Sequence, residues 1–190
     1  MPLLIGSNSQ EGNIFAFQLS NNSMYMSKEQ YSYLNDLFMS PHGLGLLGPA
    51  WYSSLYQSGD FWHTFGNSFS DYALTCGTRM IANAYSAKSA APVYRYLFSH
   101  TPDLGPLKML NATHATEIPY VFYHTRRFSP REVTLSAEIT SMWSNVRLSL
   151  SLSLPSRSIE FELKPDAQCV NTLPSLLDAS ARLDATSAAT

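Results

Sequence analysis

Charge is scarce in this sequence, and basic charge is scattered. Charged residues make up 14% of the 190, the formal net charge is −2, and the densest basic cluster is the pair Arg126-Arg127. Nucleic-acid binding and polybasic membrane anchoring both need cations concentrated on one surface, and no segment supplies them. Long apolar runs are lacking too. None approaches the ~18 residues of a membrane-crossing helix, so no membrane span is expected. A secretory leader is not apparent, because Pro2-Leu3-Leu4-Ile5-Gly6 already reads as a buried strand. The chain is expected to start inside a fold, which leaves the compartment unknown and a secreted parent compatible.

Cysteine is limited to Cys76 and Cys169, which fit a disulfide or two inert thiols equally well. The sequence has no G-x-x-x-x-G-K-[ST] loop, no G-x-G-x-x-G and no C-x-x-C. His42, His63, His100, His114 and His124 are spread without metal-ligand spacing. Nucleotide and metal chemistry therefore have no support, and no cofactor is expected. Also missing are the G-x-S-x-G nucleophile elbow and a His-Gly-Gly-Gly oxyanion loop.

Aromatic residues, by contrast, are plentiful: 11 Tyr, 10 Phe and 3 Trp. They suggest a large buried surface. Leu3 to Ile5, ended by Gly6 and a Ser/Asn cluster, fits a parallel strand buried on both faces. Ser27-Lys28-Glu29-Gln30 has the form of a capping box, followed by a helical stripe of Tyr31, Leu34, Leu37 and Phe38. Pro41, Gly43, Gly45, Gly48 and Pro49 punctuate a loop, and a short helix is expected from Trp51 to Tyr56. The clearest periodicity, Phe69, Tyr72, Ala73, Cys76 and Met80, predicts a helix from about Ser68 to Ala87. Pro92 to Ser99 reads as a second strand, with a loop to about Thr116. Ser129-Pro130-Arg131-Glu132 then supplies an N-cap, a proline at N1 and a glutamate at N3. Leu135, Ile139, Met142 and Val146 form the apolar face of the helix it opens. Strand–helix–strand–helix order points to an α/β sheet. Two strands are too few to close one, so the sheet is expected to be incomplete.

Two positions carry chemistry. Glu11 sits just past the carboxyl end of the first strand, where catalytic groups collect in open α/β sheets, and Gly12 lets the chain turn after it. On local sequence alone a solvated turn glutamate is the commoner outcome. His114 lies on the loop after the second strand, between small residues, free to face a cleft. Imidazole can accept and return a proton near neutral pH, although a packed or surface histidine is again the commoner outcome. Glu117, three residues on, is a local rival as the acid; a buried hydrogen-bonding support is its readier role. Two Asn-x-Ser/Thr triplets, at Asn21 and Asn111, matter only in a secreted protein.

Five segments together bear a resemblance. Pro2 to Gly12 is similar to the type-B carboxylesterase segment that carries the triad acid, and Glu11 matches that acid. Ser70-Asp-Tyr-Ala-Leu-Thr-Cys-Gly-Thr-Arg79 resembles the helix before that family's last core strand, and Pro92 to His100 resembles the strand. His114-Ala-Thr-Glu-Ile-Pro-Tyr-Val-Phe122 resembles the family's His-Gly-x-Glu-Leu/Ile-x-Tyr-Val-Phe, with His114 on the triad histidine. Leu135 to Asn145 is similar to the helix that follows. Gln10 departs from the family by standing where an acidic residue is usual.

The resemblance covers about residues 1–146. It implies the C-terminal part of an α/β-hydrolase fold: the last core strands with their packing helices. It also implies a serine-type carboxylic-ester hydrolase with Glu11 as triad acid, His114 as base and Glu117 behind them. The partner is then a small-molecule ester. The order acid-then-histidine agrees with such folds, whose serine comes first along the chain. The serine is expected upstream of Met1, and the 190 residues alone are expected to be inactive. A non-catalytic fragment or an adhesion-type binding module of the same fold is the rival reading. Tyr31, Phe38 and Trp51 fit a core better than a substrate pocket. A strand removed from a parallel sheet has an unpaired edge, so self-association there is expected.

Residues 147–190 form a divergent tail, expected to be poorly ordered. The family's Phe-Ala-Lys-Thr-Gly-Asp-Pro-Asn type continuation is missing after Val146, where Leu-Ser alternation from Leu148 to Leu154 begins. A CT dinucleotide repeat translates as alternating Leu and Ser in any frame, and valine codons begin with GT, the usual first bases of an intron. The plainer reading of the run is a half-buried strand, since the alternation has period two; the favoured expectation is that the tail from about Val146 is translated intron or out-of-frame sequence. Sequencing the transcript should show a splice at Val146; a continuous message in the same frame in related loci would remove the idea.

Overall fold

A computed structural model describes residues 2–39, 59–103 and 105–148. The described residues divide into two compact units, one of residues 2–14 with those from 69 to 148, the other of residues 15–39 with 59–68. The first carries both strands, β1 (Leu3–Asn8) and β2 (Val93–Phe98), which pair in parallel with Leu3 opposite Val93 and Asn8 opposite Phe98. This is a mixed α/β arrangement around a two-stranded sheet. β1 is longer than its apolar run, and its burial is reversed from expectation: Leu3 to Gly6 are half-buried, whereas Ser7 and Asn8 are buried. Only one strand covers β1 among the described residues, while its polar end is enclosed by the loops that follow each strand.

The helical segment predicted from Ser68 opens earlier. α3 (Phe61–Ser70) begins on Asp60, whose carboxylate accepts the His63 N–H at 3.1 Å. It is continued by a π-helical turn (Asp71–Thr75) and α4 (Cys76–Lys88). A π turn holds one residue more than an α turn, which rotates every later side chain about the axis. The predicted stripe is broken for that reason. Cys76 stays buried, but Ala73 and Met80 are exposed, and Ser70 and Ala82 face inward. Cys169 lies outside the described residues.

The second strand leads into a 3-10 turn (Pro106–Leu110), a one-turn helix α5 (Ile118–Val121) and the long α6 (Pro130–Leu148). The N-terminus of α6 is built as predicted. Glu132 N–H donates to Ser129 Oγ at 3.3 Å, and Ser129 N–H donates to Glu132 Oε2 at 2.9 Å. Ile139 packs with Phe98, Ala112 and Tyr120 into one core, with Leu135 and Met142 against it. The side chain of Val146 lies outside the described residues, as does the tail from Ser149.

The second unit includes α2 (Lys28–Met39) and most of α1 (Asn13–Leu19) and α3. The Ser27 box forms reciprocally: Ser27 N–H to Gln30 Oε1 at 3.0 Å, and Gln30 N–H to Ser27 Oγ at 3.2 Å. Tyr31 and Leu34 are buried as expected, but Leu37 is exposed and Asn35 takes its place inside. Spacing from Tyr31 of three, four and seven residues leads to Leu34, Asn35 and Phe38, so the helical period selects Asn35 over Leu37. Tyr31 lies against Phe61, and Phe38 against Phe65. Tyr31 is core, as read from sequence, and Phe38 is half-buried; Trp51 and the expected 51–56 helix lie outside the described residues.

Gly6 stands opposite Tyr96 in the sheet, and a Cβ there would strike the Tyr96 ring and its carbonyl. Gly6→Ala is expected to destabilise the first unit by about 1–3 kcal/mol, as overpacking does. Urea unfolding followed by Trp143 fluorescence should register it, since Trp143 packs on Tyr96.

Candidate active site

In β1 the odd-numbered N–H groups face β2: Leu3 N–H reaches the Pro92 carbonyl, and just past the strand Ser9 N–H reaches the Phe98 carbonyl. Asn8 N–H consequently points away from β2. It is taken by Glu11, whose chain turns back so that Oε1 accepts it at 2.7 Å. Glu11 is 5% exposed. A carboxylate so buried needs donors to both oxygens. The second is His114, whose Nδ1 lies 2.8 Å from Glu11 Oε2. The His114 side chain is 47% exposed. The pair thus has a buried acid end and an open imidazole end.

The loop that presents His114 is bracketed by residues of positive φ, Asn111 at 59° and Ala115 at 67°. Asn111, with ψ at −146°, stands outside the left-handed helical region that asparagine tolerates, and a positive φ at alanine costs about 1–2 kcal/mol, so both residues are strained. Ala115 stands where the resembling motif has glycine. Four hydrogen bonds stitch the loop to the acid turn: Gln10 N–H to the Ala112 carbonyl, Ile14 N–H to Thr113 Oγ1, Thr113 Oγ1 to the Glu11 carbonyl, and Asn13 Nδ2 to the Leu110 carbonyl. Gly12 N–H donates to Ser70 Oγ at 2.7 Å, fixing the turn to the end of α3.

Glu117 does not take the acid's position at Nδ1. Its Oε2 accepts Asn8 Nδ2 at 2.5 Å, and the same amide donates to the Thr113 carbonyl at 2.7 Å. Tyr96 is close to both acids. Burial, and then the charges of Glu117 and Glu11, push its hydroxyl up to about 12. Asn8 is the residue that the sequence reading missed. Its signal was only a polar side chain at the end of an apolar strand.

A second polar cluster lies beside the core. Tyr120 OH, Asp103 N–H and His100 Nε2 all converge on Glu132 Oε1, at 2.5, 2.9 and 3.1 Å. Ser129 Oγ donates to Asp103 at 2.5 Å. His100, Asp103 and Glu132 offer atoms within 4.8 Å of one another, a metal-type donor set that spacing along the chain does not reveal. Here the Glu132 carboxylate is already satisfied by hydrogen bonds, and the cluster anchors α6. Burial alone would raise the Glu132 carboxyl; the bonds from Tyr120, Asp103, Ser129 and His100 outweigh it and hold it at about 2. Burial and the Glu132 charge push the Tyr120 hydroxyl up. An acid depressed on folding stabilises the fold above its unfolded pKa and loses that effect as pH falls through the folded value. The window here runs from about 4.5 down to about 2. Glu132→Gln should flatten the stability–pH curve in that window and cost about 1–3 kcal/mol at neutral pH; denaturant midpoints measured across pH test both.

Two comparisons bear on identity. Residues 1–146 match the model of the carboxylesterase family. A 94-residue stretch is 33% identical to acetylcholinesterase-1 of Trittame loki, covering 46% of this chain and 17% of that protein. The chain therefore spans less than a fifth of the length of the curated relative it matches. With most of its residues matched by that model, the chain belongs to the carboxylesterase family.

Proposed function

We propose that this chain supplies the acid and the base of a serine-type carboxylic-ester hydrolase of α/β-hydrolase fold, its nucleophile coming from sequence beyond these 190 residues. The observation that carries the reading is the contact between the buried Glu11 carboxylate and Nδ1 of the half-exposed His114. In this mechanism His114 Nε2 takes the proton of a serine hydroxyl as that oxygen attacks the ester carbonyl. It then returns a proton to the leaving alcohol, and repeats the cycle with water to release the acid. Glu11 accepts the Nδ1 hydrogen, fixes the tautomer and stabilises the imidazolium that forms. Glu117 belongs behind the pair.

The substrate is a small-molecule ester, and the mechanism needs no cofactor. The relative's name, an acetylcholinesterase, is in keeping with ester hydrolysis. A merely adhesive relative has no use for an acid matched to an open imidazole, which weighs against the non-catalytic reading.

Two measurements test this. The 190-residue chain should turn over p-nitrophenyl acetate no faster than its His114→Ala variant. In the protein extended to include a G-x-S-x-G segment, Glu11→Gln should lower kcat by about 10²–10⁴ with little change in KM, as expected for a group that acts in the transition state. Wild-type kcat in that variant would end the reading.

A further inference from the structure

Asn8 is 1% exposed, yet the mechanism above gives it no task. Its donors are divided between the two halves of the site. The backbone N–H goes to Glu11 Oε1. The side-chain amide goes to the Thr113 carbonyl, one residue before His114, and to Glu117, three residues after it. One residue at the end of β1 therefore holds the acid with its main chain and the histidine loop with its side chain. We propose that Asn8 is a positioning residue that sets the register between Glu11 and His114.

Two features make an amide suited to this place. It spends one N–H on each side of His114, so the loop is clamped before and after the imidazole. It is also neutral. Glu11 and Glu117 both raise the Tyr96 hydroxyl by their charge, so two carboxylates share one neighbourhood. An aspartate at position 8 would add a third negative charge and offer no donor to either acceptor. The hydroxyl of a serine or threonine could meet one acceptor but not both. Glu117 then acts as the amide's anchor.

The inference rests on the esterase reading for its meaning in catalysis, but its test does not need turnover. The full chain is labelled with ¹⁵N and studied by magic-angle-spinning spectra of sediments, so that association through the sheet edge does not interfere. Ring nitrogen shifts report which nitrogen of His114 carries the proton; a His114→Gln sample assigns the signals. Above the imidazole titration the wild type should hold the proton on Nδ1. Asn8→Ala keeps the main-chain bond to Glu11 and removes only the clamp. It should lose the single tautomer and give a mixture with Nε2–H. A retained Nδ1–H tautomer in Asn8→Ala would overturn the proposal.

If Asn8→Ala fails to fold, Glu117 decides. Glu117→Ala removes the anchor and should give the same mixture, whereas Glu117→Gln keeps an acceptor for the amide and should retain Nδ1–H. Equal behaviour of those two variants would count against the clamp. Failure of the esterase reading is separable, because it leaves these tautomers unchanged while abolishing the kcat effect of Glu11→Gln in the extended protein.

Discussion

A buried carboxylate has to be given hydrogen-bond donors, and the first unit is organised around that need. Glu11 is enclosed, and the two donors at its oxygens come from opposite directions: a main-chain N–H at the end of β1 and an imidazole from the loop after β2. The parallel pairing of the strands decides which N–H is available. Because odd positions face β2, the even-numbered Asn8 is left with a donor that no ladder claims among the described residues. The acid fills it. Strand alternation, a property of the backbone alone, thus fixes which carboxylate oxygen remains for His114.

The same logic recurs at Glu132. It is first a capping residue, completing the N-terminus of α6 with Ser129, and the enclosure that follows draws in Tyr120, His100 and Asp103. Each of these donors would otherwise be buried without a partner, or would leave the carboxylate so. One acid therefore joins the helix to the segment after β2. Both clusters show carboxylates that are tolerated inside because several separate donors meet them, and both tie distant parts of the chain together.

How much of this was legible varies with the range of the interaction. Both capping boxes could be read because their partners are three residues apart. Glu11 and His114 could be named from the edge rule for α/β sheets and from the family resemblance, although their contact spans 103 positions. Leu37 and Met80 were misplaced for local reasons. The helical period prefers Asn35 to Leu37 despite its polarity, and the π turn at Asp71–Thr75 shifts the face of everything after it. No residue pattern in Asp71-Tyr-Ala-Leu-Thr75 signals that turn. Asn8 and the His100–Glu132 contact were illegible because each is defined by partners on other elements.

The parallel sheet has a further consequence for folding. Glu11 and His114 lie 103 positions apart, and the crossover between the strands must close before they can meet. Contacts of such separation form slowly, since the loop entropy is lost before any stabilisation returns. The contact between Glu11 and His114 is then a late event in folding, absent from nascent or half-collapsed forms. A slip of β1 against β2 by one residue would exchange the ladder-facing N–H groups for the outward ones. Strand registry in this family member is thus a checkpoint: only the correctly zipped sheet brings Glu11 and His114 into contact.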